Sequence, residues 1–116
     1  GYYEENELVY VIDEKEPFTG IGKDYYEDKS LRLVAPYLNG KLEGIVKEYY
    51  PSGKLLSEVT FKDDKEVGVL KGYHENGKVS EEVTFKNGKK NGPMKIYDEN
   101  GNLKRQSNFV DDRQVD

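Results

Sequence analysis

A glycine begins each of four successive 24-residue units in this chain, at Gly20, Gly44, Gly68 and Gly92, and it brings fixed company. Lysine follows at +3 (Lys23, Lys47, Lys71, Lys95) and tyrosine at +5 (Tyr25, Tyr49, Tyr73, Tyr97). An aliphatic recurs at +11 (Leu31, Leu55, Val79, Leu103) and an aromatic at +17 (Tyr37, Phe61, Phe85, Phe109). Self-similarity at such a period marks an array in which one supersecondary unit stacks on copies of itself. It also shifts expectation from catalysis toward surface recognition.

The nature of the unit follows from its turns and its alternation. Asn-Gly occurs at 39–40, 76–77, 87–88, 91–92 and 100–101, and this dipeptide suits the two positive-φ positions of a type I′ hairpin turn. Leu55, Val59 and Phe61, like Val79, Val83 and Phe85, stand at even separations, the spacing that shares one side of a strand. No helical periodicity is sustained. The chain is therefore expected to be all-β, an antiparallel meander of tandem hairpins forming an elongated twisted sheet.

A two-residue turn at 76–77 pairs Gly68 with Phe85, Leu70 with Val83, Lys71 with Glu82 and Tyr73 with Ser80. The same rule around 52–53 sets Gly44 against Phe61, Val46 against Val59 and Lys47 against Glu58. A ring across from a glycine covers the backbone it leaves bare, and opposite charges face each other across strands. A three-residue loop would invert the faces. In the two-residue register one face is apolar, with Leu31, Val46, Leu55, Val59, Phe61, Leu70, Val79, Val83, Phe85, Met94, Ile96, Leu103 and Phe109. The other carries the lysine and tyrosine columns with Glu58, Thr60, Glu82 and Thr84. Glu48, Glu81 and Arg105 intrude on the apolar side.

One domain is expected over 1–116: an N-terminal half-unit in 1–17, units over about 18–43, 44–67, 68–91 and 92–110, and a tail at 111–116. Leu8–Ile12 has the parity of a second strand and is read as starting the sheet. In the last unit Ser107 and Asn108 replace the valine and threonine of the middle units, a polar weakening suited to a terminal repeat. The tail is expected to fray.

The units "EYYPSGKLLSEVTFKDDKEVG" and "GYHENGKVSEEVTFKNGKKNG" resemble the MORN-repeat variant of bacterial proteins often grouped as YwqK-type antitoxin-like proteins, and "KIYDENGNLKRQSNF" resembles part of another. The first unit departs from the pattern, with Lys29 where the turn glycine belongs and Pro36 within its second strand. The resemblance, over about 18–110, implies a non-enzymatic hairpin array that binds other molecules, as an antitoxin or as a protein- or lipid-binding module.

Composition narrows the chemistry. No cysteine and one histidine, His74, leave no cysteine- or histidine-based metal site, and no cofactor is expected. A lone strand histidine is read as a packing or surface residue. Asp98-Glu99-Asn100-Gly101-Asn102 faintly suggests a calcium loop, but it falls at a hairpin turn and lacks the glutamate that closes such a loop. A net charge of −5 argues against nucleic acid and works against capture by an anionic membrane. Asp63-Asp64 and Asp111-Asp112 are read as solvated turn and tail charges.

Two readings of the repeated face stay open. Tyr25, Tyr49, Tyr73, Tyr97, Lys23, Lys47, Lys71 and Lys95 form either a partner-binding surface, since tyrosine is enriched at hot spots, or cross-strand ladders that hold a thin sheet together. The partner is expected to be another protein, with a membrane-surface or envelope structural role as the alternative. The chain begins with Gly1, and a removed signal peptide with an exported or envelope location is the expectation for compartment.

Overall fold

A computed structural model describes residues 18–116 in full and, within the first 17, the backbone of two strands. Those strands, β1 (Tyr2–Glu5) and β2 (Leu8–Val11), pair only with each other. The expectation that Leu8–Ile12 opens the main sheet is thus corrected for its described part, 8–11; residue 12 lies outside the described residues.

The main sheet holds the other ten strands. Unit one supplies β3 (Gly20–Tyr25), β4 (Leu31–Leu38) and β5 (Lys41–Leu42); unit two adds β6 (Gly44–Tyr49) and β7 (Leu55–Lys62). There follow β8 (Lys65–Tyr73), β9 (Val79–Lys86), β10 (Lys89–Tyr97), β11 (Leu103–Val110) and the short β12 (Arg113–Gln114). All pairings are antiparallel and, apart from β5 lying beside β4, neighbours in sequence are neighbours in space. This is the expected meander, laid down one hairpin at a time.

The register is as expected over most of each unit: Gly68 pairs with Phe85, Leu70 with Val83, Lys71 with Glu82, Gly44 with Phe61, Val46 with Val59 and Lys47 with Glu58. Toward the turn it changes, and Tyr73 meets Val79 rather than Ser80. The reason lies in the turn. Gly77 N–H donates to the His74 carbonyl at 2.9 Å and His74 N–H to the Lys78 carbonyl at 2.8 Å. With only Gly77 at positive φ (+88°), this is a three-residue loop ending in a left-handed glycine. Its extra residue is absorbed one step later, where the register shifts between Gly72 and Tyr73. The same shift follows Asp24, Glu48 and Ile96.

A faces correction results. Leu31, Leu55, Val79 and Leu103 pair with Tyr25, Tyr49, Tyr73 and Tyr97, so they leave the apolar side and join the tyrosine and lysine columns, here called the front. The back keeps Val46, Val59, Phe61, Leu70, Val83, Phe85, Met94, Ile96 and Phe109. On that side the intruding Glu81 sits across from Gly72, which is buried and whose missing side chain leaves room for the Glu81 methylene.

Asn-Gly adopts three conformations here, and position decides among them. At 39–40 and 87–88 both residues have positive φ (52° and 83°; 50° and 83°), the type I′ turn expected. At 76–77 and 100–101 only the glycine does. At 91–92 the dipeptide lies within β10, where the register slips between Lys90 and Met94 and Gly92 takes φ +121°. Gly20, Gly44 and Gly68 hold comparable φ of +149°, +120° and +79°, so a backbone bend between units, beyond a bare patch under a ring, explains the founding glycine column.

Asp63-Asp64 (φ 54° and 69°) and Asp111-Asp112 (φ 48° and 70°) also form type I′ turns. They are more than solvated charges. Asp64 N–H donates to the Leu42 carbonyl at 3.0 Å while Leu42 N–H donates to Asp64 Oδ1 at 2.7 Å. Asp112 and Lys90 repeat both bonds at 2.8 and 2.7 Å. Residues 111–114 are therefore an ordered turn and strand, not a fraying tail. Ser107 likewise departs from its expected polar, outward role, being only 6% exposed, whereas Asn108 is exposed.

The sheet has a single layer. Among the described residues only Ala35, Tyr37 and Val83 are buried apolar side chains, with Phe18, Leu42 and Val46 packed near the first two.

Lys29 holds the left-handed position (φ 75°) that Gly53, Gly77 and Gly101 fill in the other units. A side chain there costs about 1–2 kcal/mol, offset by the roughly 0.5–1 kcal/mol of extra chain entropy a glycine loses. Lys29→Gly is expected to raise stability by about 0.5 kcal/mol, read as a higher urea midpoint; a lower midpoint contradicts the turn assignment.

Candidate functional site

Rows running across the strands organise the front. One row reads Lys23, Val34, Lys47, Glu58, Lys71, Glu82, Lys95 and Gln106, each residue paired with the next. Lys71 lies between Glu58 and Glu82, and Glu58 between Lys47 and Lys71, so charges alternate across the middle of the sheet. Beside it runs the tyrosine row. Tyr73 OH donates to Glu58 Oε1 at 3.1 Å and Tyr97 OH to Glu82 Oε1 at 3.0 Å. Each tyrosine thus ties its unit to the glutamate of the one before. Tyr25, in the first unit, is 54% exposed.

The predicted site residues are brought together on one face, and for Tyr73 and Tyr97 the structure shows cross-unit bonds of the ladder kind. Leu55 and Tyr73 line one shallow groove with Glu75 and Asn76; Val79 and Tyr97 line the next with Glu82 and Asn100. These grooves are open and lack a nucleophile–base pair.

A third set of bonds runs along the turn edge. Tyr26 OH donates to the Tyr49 carbonyl at 2.5 Å, Tyr50 OH to the Tyr73 carbonyl at 2.6 Å, and His74 Nε2 lies 3.0 Å from the Tyr97 carbonyl. A carbonyl accepts, so His74 carries its proton on Nε2. The lone histidine occupies the position that Tyr26 and Tyr50 hold in the first two units and makes their bond. In unit four that position is Asp98, whose Oδ1 accepts from the Asn100 and Asn102 N–H groups, both at 2.9 Å. These bonds, the Asn102 backbone first, hold its carboxyl below the usual carboxylate range. The suspected calcium loop is thus a turn closed on its own aspartate, and among the described residues no group of three His, Cys, Asp or Glu side chains could hold a metal.

Sequence reasoning overlooked a further column. Ile21, Ile45, Val69 and Pro93, at +1 of each unit, lie on the front and are all exposed, the first three by 57%, 52% and 46%. The signal was available: four apolar residues at one repeat position, on the side assigned to polar columns.

Taken together, these features define a single-layer β-hairpin repeat array with one decorated face. Three consecutive stretches, 42–63, 66–87 and 90–111, match the model of the MORN repeat variant. They cover more than half of the chain, which belongs to that family. Each match begins just after one type I′ turn and ends at the first residue of the next. The first unit, with Lys29 and Pro36, is outside the matched stretches. A search of curated proteins returned no match. Repeats of this family commonly act as protein- or membrane-interaction modules, and the fold is typically non-catalytic.

Burial, then the hydrogen bond to Glu58, raises the Tyr73 hydroxyl above its ordinary pKa near 10.0; burial and Glu82 do the same for Tyr97. A raised folded pKa means stability is fully present below the unfolded value and is lost as pH rises through the folded one. Wild-type chain is expected to lose urea resistance between about pH 9 and 11 more steeply than Tyr73→Phe/Tyr97→Phe. Parallel curves would remove the tyrosine–glutamate bonds from the account.

Proposed function

We propose that the chain is a non-enzymatic module that binds another protein through the front of its sheet, in the manner of an antitoxin-like protein that engages and masks a partner. The observation that supports this reading most is the exposed aliphatic column Ile21, Ile45 and Val69 on a sheet that has no covering layer among the described residues. Contiguous exposed apolar surface rimmed by polar residues marks interaction sites. The regular repeat of that column extends the surface along the array, where one unit alone offers one aliphatic side chain.

In this reading the lysine and tyrosine columns divide their duties. Tyr73 and Tyr97 hold units together through Glu58 and Glu82, while the lysines and the aliphatic column meet the partner. Lys23, Lys47, Lys71 and Lys95 give the rim its charge; Tyr25, exposed and at the end of its row, is the tyrosine best placed for contact.

A photo-crosslinking amino acid at Ile45 tests the face directly when compared with one at Glu48, which lies on the back. In cells of the source organism, the Ile45 probe is expected to trap a discrete protein adduct and the Glu48 probe none. Adducts of equal yield from both, or from neither, would overturn the reading.

A further inference from the structure

Lysines also gather at the type I′ turn end of the front. Lys62 is directly opposite Lys65, and Lys86 directly opposite Lys89. All four are exposed, and none is ion-paired among the described residues. Like charges directly across a ladder destabilise it. The arrangement nonetheless occurs in two successive units, although the chain as a whole carries a net charge of −5. Parity puts these pairs on the front, since Lys62 and Lys86 stand two residues beyond Thr60 and Thr84, the partners of Ile45 and Val69.

The front is therefore banded. The lysine pairs at the turn end lie about 7 Å to one side of the aliphatic column, and the alternating row of Lys47, Glu58, Lys71 and Glu82 lies about 7 Å to the other, two residues along a strand in each direction. At the turn end Asp63 is paired with Lys41, and the opposite turn edge carries both signs, with Glu27, Asp28, Glu75, Asp98 and Glu99 beside Lys29, Lys54, Lys78 and Lys104. Successive aliphatics are two strands apart, about 9.5 Å, so Ile21 to Pro93 spans about 28 Å.

From this arrangement we infer that the front docks an acidic amphipathic helix lying across the strands, its apolar stripe on Ile45 and Val69 and the carboxylates of one flank on the Lys62–Lys65 and Lys86–Lys89 pairs. This inference rests on the protein-binding reading and adds the partner's chemistry. A helix of about 19 residues covers the 28 Å at 1.5 Å per residue. Its apolar stripe with acids along one side is the complement of the aliphatic column and the lysine pairs beside it. An anionic bilayer fits less well. The exposed column is aliphatic, without the Trp and Tyr typical of membrane interfaces; Tyr73 and Tyr97 are bonded to glutamates; and Glu58 and Glu82, standing between the lysines of the middle row, repel a flat anionic surface.

The test uses the full chain and a synthetic helical peptide of about 20 residues with a leucine stripe bordered along one side by glutamates, titrated by fluorescence anisotropy. A lysine-flanked version of the same peptide is the first control. Phosphatidylcholine vesicles with and without phosphatidylserine form the membrane arm. The acidic peptide is expected to bind, with affinity falling as salt rises, and the basic peptide and both vesicles not to bind. Lys62→Glu/Lys86→Glu should weaken the peptide by about tenfold or more, whereas Lys104→Glu/Arg105→Glu, an equal charge change away from the band, should leave it within about twofold. Circular dichroism and the urea midpoint confirm that both variants fold. Equal weakening by both pairs, no binding of the acidic peptide, or vesicle binding that depends on Lys62 and Lys86 would each overturn the inference. If the Ile45 probe still traps its protein in Lys62→Glu/Lys86→Glu, the helix inference falls and the interaction reading stands.

Discussion

Neighbour-to-neighbour hydrogen bonding carries this structure, because a single-layer sheet has no second layer to pack against. Very few side chains are buried, so little of the stabilisation resides in a core. It lies instead in the strand ladder and in bonds that recur once per unit. The N–H of the second type I′ turn residue donates to a carbonyl 22 residues earlier in every case, within unit one for Gly40 to Phe18 and across a unit boundary for Asp64 to Leu42, Gly88 to Glu66 and Asp112 to Lys90, at 2.7, 3.0, 2.9 and 2.8 Å. At the other end of the hairpins, Tyr26, Tyr50 and His74 reach the next unit's carbonyls. Each hairpin is thus fastened to the one before at both of its ends, and the glycine bends between them are what the turn-end bonds compensate. Stability in such an array is a sum of unit and interface terms.

That economy explains why the front can be decorated freely. Among the described residues no layer covers it, so a column such as Ile21, Ile45, Val69 and Pro93 costs the fold little and stays available. The tyrosines, by contrast, are committed to cohesion from the second hairpin junction onward, where Glu58 and Glu82 receive their hydroxyls. Unit one has Val34 where the later units have those glutamates, so Tyr49 of unit two has no carboxylate at the equivalent place. The repeated position thus serves the sheet in one unit and is open to other contacts in another.

Much of this was legible from residue spacing. The period named the hairpin unit, and turn positions gave the register as far as Gly72 and Glu48. What spacing alone could not supply was the loop length. Asn76-Gly77 reads as a two-residue turn, yet the chain closes a three-residue loop and corrects it with a bulge one step on, so the outer register is identical for both. Only the residues between loop and bulge, Leu31, Leu55, Val79 and Leu103, change sides. Asp63-Asp64 was misjudged for a related reason: aspartate tolerates the left-handed region, but its reciprocal bonds with Leu42 depend on a strand two hairpin ends away. The lysine pairs at 62/65 and 86/89 became recognisable as pairs only when the register placed them across from each other.

Native-state hydrogen exchange measures the central claim most directly, through the amides of Asp64, Gly88 and Asp112. These lie in turns, where solvent-facing amides exchange quickly, yet here each donates across a unit boundary. Protection of these amides comparable to that of mid-strand Lys71 and Lys95 is the predicted result. Exchange at the rate of the unbonded turn amides of Glu75 and Glu99 would show that the units are not fastened at this end, and the account of an array held by its neighbours would fail.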